Sequence, residues 1–342
     1  MWRCLACVGI IAALATKPAR AQEAVAQFYK GRQINIVIGS SVGGGYDTYG
    51  RLVGRYLGAH IPGQPTIVPM NMPGAGSNRA AYYVYAVAPK DGTVIGAIFA
   101  AAIIEPLLGT KPVQHDASKF LYLGSANNDV FTCLVRADAP AKTYQDALST
   151  QVVLAASQEG GSTRDFPTLS NRILGTKFRI VSGYAGTREM TFAIERGEVQ
   201  GQCGMSWPSL LAQHPDWVES GKIRVLAQEA LKGHPDLDKL GVPLTLDFAR
   251  SEEDREVLKL VYTQELFGRP YVLPPGVPAE RVEVLRRAFM ETMQDPALRA
   301  DAAKMRVDVD ALPGDEIQKL VATMYATPRP IVERARQALA DQ

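Results

Sequence analysis

The stretch INIVIGSSVGGGYDTYGRLVGRYLG, residues 34–58, limits the choice of fold more than any other part of this chain. Ile34 to Ser40 alternates apolar and small residues and reads as a buried strand. Three glycines stop it, and Tyr46, Tyr49, Val53 and Tyr56 then recur near helical spacing, with Asp47 where a first-turn acid is favoured. A strand running straight through a glycine turn into a helix is half of a βαβ unit, and such units build parallel sheets.

The unit recurs. TIVPMN (66–71) is a strand, MPGAGSN a second glycine turn, RAAYYVYAVA a helix stopped by Pro89, and KDGTVIGAIFA a turn and a third strand. A second series starts past Leu121. FLYLGSA and FTCLVRA read as strands, and a helix is expected near Tyr144 to Leu148. VVLAAS (152–157) is a strand, QEGGST a glycine loop, and RDFPTLSNRIL a helix ended by Gly175. FRIVSGY, AGTRE and MTFAIERG repeat strand, loop and helix, before EVQGQCG and KIRVLAQ. RPYVLPPGVP (269–278) reads as a turn, and helices are expected over 279–293 and 314–326. The fold class is α/β, in two blocks that each set two small-residue loops just ahead of a helix.

The glycines do not spell a nucleotide site. In the P-loop pattern Gly45 and Tyr46 stand where Lys and Ser/Thr belong, and in the dinucleotide pattern Thr48 stands for the third glycine. A hydrolase elbow is also missing, GMSWP being the nearest approach. His60, His115, His214 and His234 show no metal-ligand spacing and read as surface or boundary residues. No catalytic set, metal or cofactor is expected.

Arg3, the apolar run Leu5 to Ala15 and Ala19-Arg20-Ala21 read as a secretory signal peptide over residues 1–21, cleaved after Ala21. That run is well short of the roughly 20 residues that span a bilayer. The chain has 37 basic and 35 acidic residues, and Arg3, Lys17 and Arg20 fall in the leader, so the remainder carries net −1. No basic footprint for nucleic acid survives. Cys133 and Cys203 remain after cleavage, and in an oxidising compartment they either pair or stay as two buried thiols.

What the loops offer is anion binding. A helix start presents unpaired N–H groups and partial positive charge, and small residues let an anion reach them. Such loops lie at 39–47, 73–78, 158–163 and 183–187, two in each block. Arg164 follows one of them directly and is a candidate cation, whereas Arg51 and Arg55 read as a solvated helix face. Tyr46, Tyr184 and Trp207 are either stacking platforms for an aromatic acid or core.

Over essentially the whole exported part, the sequence resembles the periplasmic solute-binding proteins of tripartite tricarboxylate transporters, the Bug or TctC-like family. VIGSSVGGGYDTYGRLV is similar to the family's first motif, with Asp47 as its aspartate, and NMPGAGSNRAAYYVYAVAPKDGTVIG to its second. ASQEGGSTRDFPTL, VSGYAGTREMTFAIERGEVQG, WVESGKIRVLAQ and VLPPGVPAERVEVLRRAFMETMQDPALR are similar to later family segments. The resemblance implies a type II periplasmic-binding-protein fold, with a mainly parallel sheet flanked by helices in each of two hinged domains. Those domains would be residues 22–124 with 229–342, and 125–228, with crossovers near 121–134 and 223–228. It implies a monomer that holds a di-, tri- or aromatic carboxylate and delivers it to a membrane permease. Ser40, Ser41, Gly44, Gly45 and Asp47 would form one jaw beside Gly74, Ala75, Gly76 and Ser77, with Tyr46 in the same loop. Gly161, Ser162, Thr163, Tyr184 and Gly186 would face them, with Arg164 alongside. The sequence departs from the family at SSV, where a proline pair is usual, at Gln200, where Asp is frequent, and over 251–266. An exported enzyme acting on a small acid, or a ligand-presenting partner of a membrane sensor, are the other readings.

Overall fold

The computed structural model describes residues 16–109 and 112–340. Most of the expected leader lies outside the described residues. Among the described residues, eleven strands form two sheets: β1 (Gln33–Ile38), β2 (Thr66–Asn71), β3 (Val94–Ala97), β4 (Leu121–Ser125), β5 (Phe131–Arg136), β6 (Val152–Ala155), β7 (Phe178–Val181), β8 (Gly201–Ser206), β9 (Ile223–Glu229), β10 (Pro270–Leu273) and β11 (Leu312–Pro313). The first sheet has the order β11-β4-β10-β3-β1-β2 and the second β7-β6-β8-β5-β9. The α/β expectation holds, but both sheets are mixed. β1 pairs parallel with β2 and β3, and β6 with β7 and β8, as βαβ units require. β10 runs antiparallel to β3 and β4, and β5 antiparallel to β8 and β9. The antiparallel strands flank the segments where the chain passes from one sheet to the other, and they meet the parallel strands from the opposite direction.

The opening motif folds as its pattern demands. β1 is buried over Ile36 to Ile38, and the helix Gly45–His60 lays Tyr49, Leu52, Val53 and Leu57 on it. These positions repeat at helical spacing and make one apolar face. Gly50 and Gly58 lie on that face and let the helix come unusually close. A methyl at Gly50 would stand 2.6 Å from Ile38 Cδ1, and one at Gly58 2.6 Å from the Pro65 carbonyl oxygen. The helix Ala279–Gln294 covers the same side, burying Val282, Leu285, Ala288, Phe289 and Met293 as expected.

One helix in each block ends in the same way. Asn78–Tyr82 continues into a π-type turn closed by Ala88 N–H to Tyr83 O, and Ser162–Leu169 into one closed by Gly175 N–H to Ser170 O. Gly175 sits at φ +85°, a left-handed cap that suits glycine.

Several expectations need correction. Residues 270–273 of the expected turn form β10, a central strand buried along its length. The helix expected near Tyr144 is only the short 3-10 turn Asp146–Leu148. The divergent segment 251–266 is a helix, Glu252–Tyr262, with the Ser251 hydroxyl accepting from Asp254 N–H. It is stitched in by Arg334, which pairs with Glu253 and Asp254, and by the Tyr262 ring against Phe166. His115 is buried rather than peripheral, and its Nε2 bonds the Ala102 carbonyl. The cysteine alternative resolves to a pair: Cys133 on β5 and Cys203 on β8 form a disulfide across adjacent strands.

Candidate functional site

Between the two sheets lies a cavity of about 390 Å³. Its walls are the segments that follow β1, β2, β3, β6 and β7, so it opens at the carboxyl ends of the parallel strands, the usual ligand position in open α/β sheets. Fourteen of the residues singled out by sequence line it: Ser40, Ser41, Gly44, Gly45 and Tyr46; Gly74, Ala75, Gly76 and Ser77; Gly161, Ser162 and Thr163; Tyr184 and Gly186.

Asp47 and Arg164 do not line it. Asp47 is turned inward as a brace. Its carboxylate accepts from Gly43 N–H (2.9 Å), Asn71 Nδ2 (2.8 Å) and Arg51 Nε (2.9 Å), and Asn71 Nδ2 also donates to the Ser40 carbonyl. Burial pushes the Asp47 carboxyl up, but these donors and the Arg51 charge outweigh it and hold its pKa below the ordinary value. Arg51 is therefore a loop tie as well as a surface residue, while Arg55 pairs on the surface with Asp301. Arg164 is buried in the body of its helix, where Nη1 donates to Thr168 Oγ1 and to the Leu339 carbonyl. Trp207 packs in the core 6.4 Å from His234, so of the three stacking candidates only Tyr46 and Tyr184 line the cavity. Gln200 is also away from it, its Oε1 accepting from Val153 N–H.

The loop after β2 is the most constrained part of the wall. Gly74, Ala75, Gly76 and Ser77 all have positive φ, at 136°, 48°, 58° and 75°. Two of these four are not glycine, and a non-glycine residue held there costs on the order of 1–3 kcal/mol. The Ser77 hydroxyl helps hold the run by accepting from Phe99 N–H.

The loops of the two sheets meet at both ends of the cavity. A methyl at Gly76 would stand 2.9 Å from the Gly160 carbonyl oxygen. At the other end, a methyl at Gly186 would lie 3.4 Å from Ser41 Oγ, and one at Gly43 3.9 Å from Arg188 Nη1. Glycine at these places lets the walls close together.

The floor is what sequence reasoning missed. Arg269, just ahead of β10, is buried. Its Nη1 pairs with Asp129 at 2.5 Å, and its Nη2 donates to Ser206 Oγ (3.0 Å) and Ser209 Oγ (3.1 Å). The guanidinium lies over the rings of Tyr46 and Tyr49, 4.4 and 5.1 Å from their centroids. Burial opposes its charge, but Asp129 and the two tyrosines outweigh burial and keep Arg269 ionised. Ser206, the serine of GMSWP, is a structural link here: it donates to Asp129 and caps the helix Trp207–Gln213. Phe99, Phe131, Gln264, Arg188, Glu189 and Met190 also line the cavity, as do Ser157, Gln158 and Thr187. PYVL, a continuous apolar run, was the sequence signal that residue 269 leads into a strand, but nothing local ties Arg269 to Asp129 or Ser206.

Among the described residues, Cys133, Cys203 and Glu229 are the group whose donor atoms lie close enough for a metal ion, and the disulfide leaves those sulfurs no thiolate to offer. No described helix is long and apolar enough to cross a membrane.

No protein-family model matches the chain. A UPF0065 protein of Bordetella bronchiseptica is 26% identical over 286 residues, which is 80% of this chain and 77% of the relative. The periplasmic binding protein BugD superposes with a TM-score of 0.69 at 19% identity, over 91% of this chain and 98% of its own. MatC of Rhodopseudomonas palustris, solved with bound malate, gives 0.64 at 18% identity over 90% and 99%. A TctC solute-binding protein from Polaromonas, solved without ligand, gives 0.61 at 19% over 90% and 99%. The chain therefore has the type II periplasmic-binding-protein fold and is similar, over most of its length, to the Bug and TctC solute-binding proteins.

Proposed function

We propose that the protein is a periplasmic solute-binding protein: it captures a small organic carboxylate in the cleft, performs no chemistry on it, and delivers it to a tripartite tricarboxylate-type membrane transporter. The observation that carries this reading is the cavity itself. Its walls are loops at helix starts and the left-handed run 74–77, drawn from both sheets, and these are backbone surroundings suited to an anion. The binding of malate by MatC and the binding-protein fold support the same reading. On this proposal the domains 22–124 with 229–342, and 125–228, move about the crossovers near 121–134 and 223–228 as the ligand enters. The mature, monomeric chain starts at Gln22.

The test is a thermal-shift and calorimetry panel on protein stripped of endogenous ligand by unfolding and refolding. A ligand that binds only the native state raises stability by RT ln(1 + [L]/Kd), about 2.7 kcal/mol at a hundredfold excess over Kd. At least one carboxylate is expected to give both the shift and the binding heat. Silence across di-, tri- and aromatic acids would remove the proposal, and turnover of a bound acid would replace it with an exported enzyme. N-terminal sequencing of periplasmic protein checks the processing, with Gln22 expected as the first residue.

A further inference from the structure

Resting on the carboxylate-binding reading above, the mouth of the cleft points to the residue that selects the acid. We propose that Arg188 is the specificity-determining residue, binding the second carboxylate of a linear dicarboxylate. Three charged side chains line the cavity, Arg188, Glu189 and Arg269. Arg269 is buried at the floor, where Nη1 pairs with Asp129 at 2.5 Å and Nη2 donates to Ser206 and Ser209. Its Nε has no hydrogen-bond partner but is itself buried, and Asp129 already matches the charge. Glu189 lies back on its own helix, Thr187–Glu195, with Oε2 3.3 Å from where a methyl at the capping Gly186 would stand. A carboxylate in that place faces the partial positive charge of the helix start. Arg188 is exposed and forms no ion pair with any described carboxylate.

Its position matters as much as its charge. Arg188 belongs to the wall that follows β7, yet its Nη1 is 3.9 Å from where a methyl at Gly43, in the loop after β1, would stand. The side chain therefore spans the gap between the two walls at the rim. Gly43 brings no side chain into that gap, and its N–H is taken by Asp47. The Phe192 ring, with its centroid 5.6 Å from Cζ, steadies the arm without neutralising it. Backbone donors at the inner loops can hold one carboxylate. The guanidinium at the mouth offers a planar fork of donors for a second. Between the two ends the wall carries the hydroxyls of Ser41, Ser157, Ser162 and Thr163 beside its rings, so it accepts a polar or an apolar linker. A monocarboxylate would leave Arg188 facing its apolar end. An ion pair open to water contributes little. Held between two walls, the ligand's second carboxylate sheds part of its water, and the attraction strengthens as the walls close.

Calorimetry on the stripped protein tests this with chain-matched pairs: succinate and butyrate, glutarate and valerate, adipate and hexanoate. The best-bound diacid is expected to bind about tenfold or more tightly than its monoacid, and added salt should narrow that gap. Arg188→Gln, checked for an unchanged thermal transition without ligand, should weaken that diacid about tenfold or more and its monoacid by no more than about twofold. Arg188→Lys should restore part of the preference, since it keeps the charge and loses the fork. A monoacid binding as tightly as its diacid would overturn the proposal. So would a diacid preference that survives Arg188→Gln, or an equal loss for both members of the pair. If the wider panel yields a ligand but none of the three diacids binds, the proposal falls and the carboxylate reading stands. If every acid in both panels is silent, the carboxylate reading itself fails.

Discussion

At the scale of single residues, two positions show how the cleft is made. Gly76 needs to be glycine twice over, for its φ of 58° and because its Cα faces the Gly160 carbonyl across the cleft. Gly76→Val is expected to weaken ligand binding more than tenfold by holding the walls apart, and calorimetry beside urea unfolding would separate this from instability. Asp47 does its work behind the wall. Asp47→Ala removes the acceptor of the Gly43 N–H and one of the two acceptors of the Asn71 amide, and since a hydrogen bond contributes about 0.5–1.5 kcal/mol net, a stability loss of about 1–2 kcal/mol is expected by denaturant titration. The carboxyl's depressed pKa means that its contribution is full above its ordinary value and fades as pH falls through the lowered one. The aspartate was legible in the sequence as part of a motif; its role as a brace was not, because Asn71 lies on another strand.

At the scale of elements, close approach decides against intrinsic preference. Gly50→Ala should gain about 1 kcal/mol in helix propensity. The added methyl, however, would sit 2.6 Å from Ile38 Cδ1, and overpacking of that kind costs typically 1–3 kcal/mol. A net loss of stability is expected, measured by the urea midpoint. The β5–β8 disulfide closes a separation of 70 residues, for which chain entropy gives about 4 kcal/mol. Unfolded, unreduced protein without residues 1–21, and so without Cys4 and Cys7, should show no free thiol, and the double variant Cys133→Ala/Cys203→Ala should unfold at lower denaturant. The strand–loop–helix units were legible because each carries its own period and its own glycine stop. β10 was not: four apolar residues between prolines and glycines look like a turn until β3 and β4 are in place on either side.

For the whole molecule, the passage between the sheets concentrates buried acids. Burial pushes the Glu229 carboxyl up to about 8, with the Gly204 N–H opposing it. Burial and the Glu105 charge push Asp165 up to about 7. An acid whose pKa is higher in the folded state holds its proton there while the unfolded chain has lost it. Its stabilising share is therefore full below the ordinary value and lost as pH rises to the raised one. For Glu229 that window runs from about 4.5 to about 8. Glu229→Gln should flatten the fall in stability across it and leave the variant more stable at pH 8 by about 2–4 kcal/mol, at roughly 1.4 kcal/mol per pH unit. Urea unfolding from pH 5 to pH 9 checks it; a wild-type profile level across that range would contradict it.

The sequence by itself determined the α/β class, the paired small-residue loops and the resemblance to a binding-protein family, because periodicity and turn chemistry act over a few neighbouring residues. It also placed most of the cavity wall, since those loops follow strands and precede helices wherever the sheets end. Only the tertiary structure decided which polar groups face the ligand and which brace the fold. It turned Asp47 and Arg164 inward, brought Arg269 to the floor beside Asp129 and Ser206, and paired Cys133 with Cys203. Those partners are far apart in the chain, and no local period or turn preference reports on neighbours that only the closing of two sheets brings together.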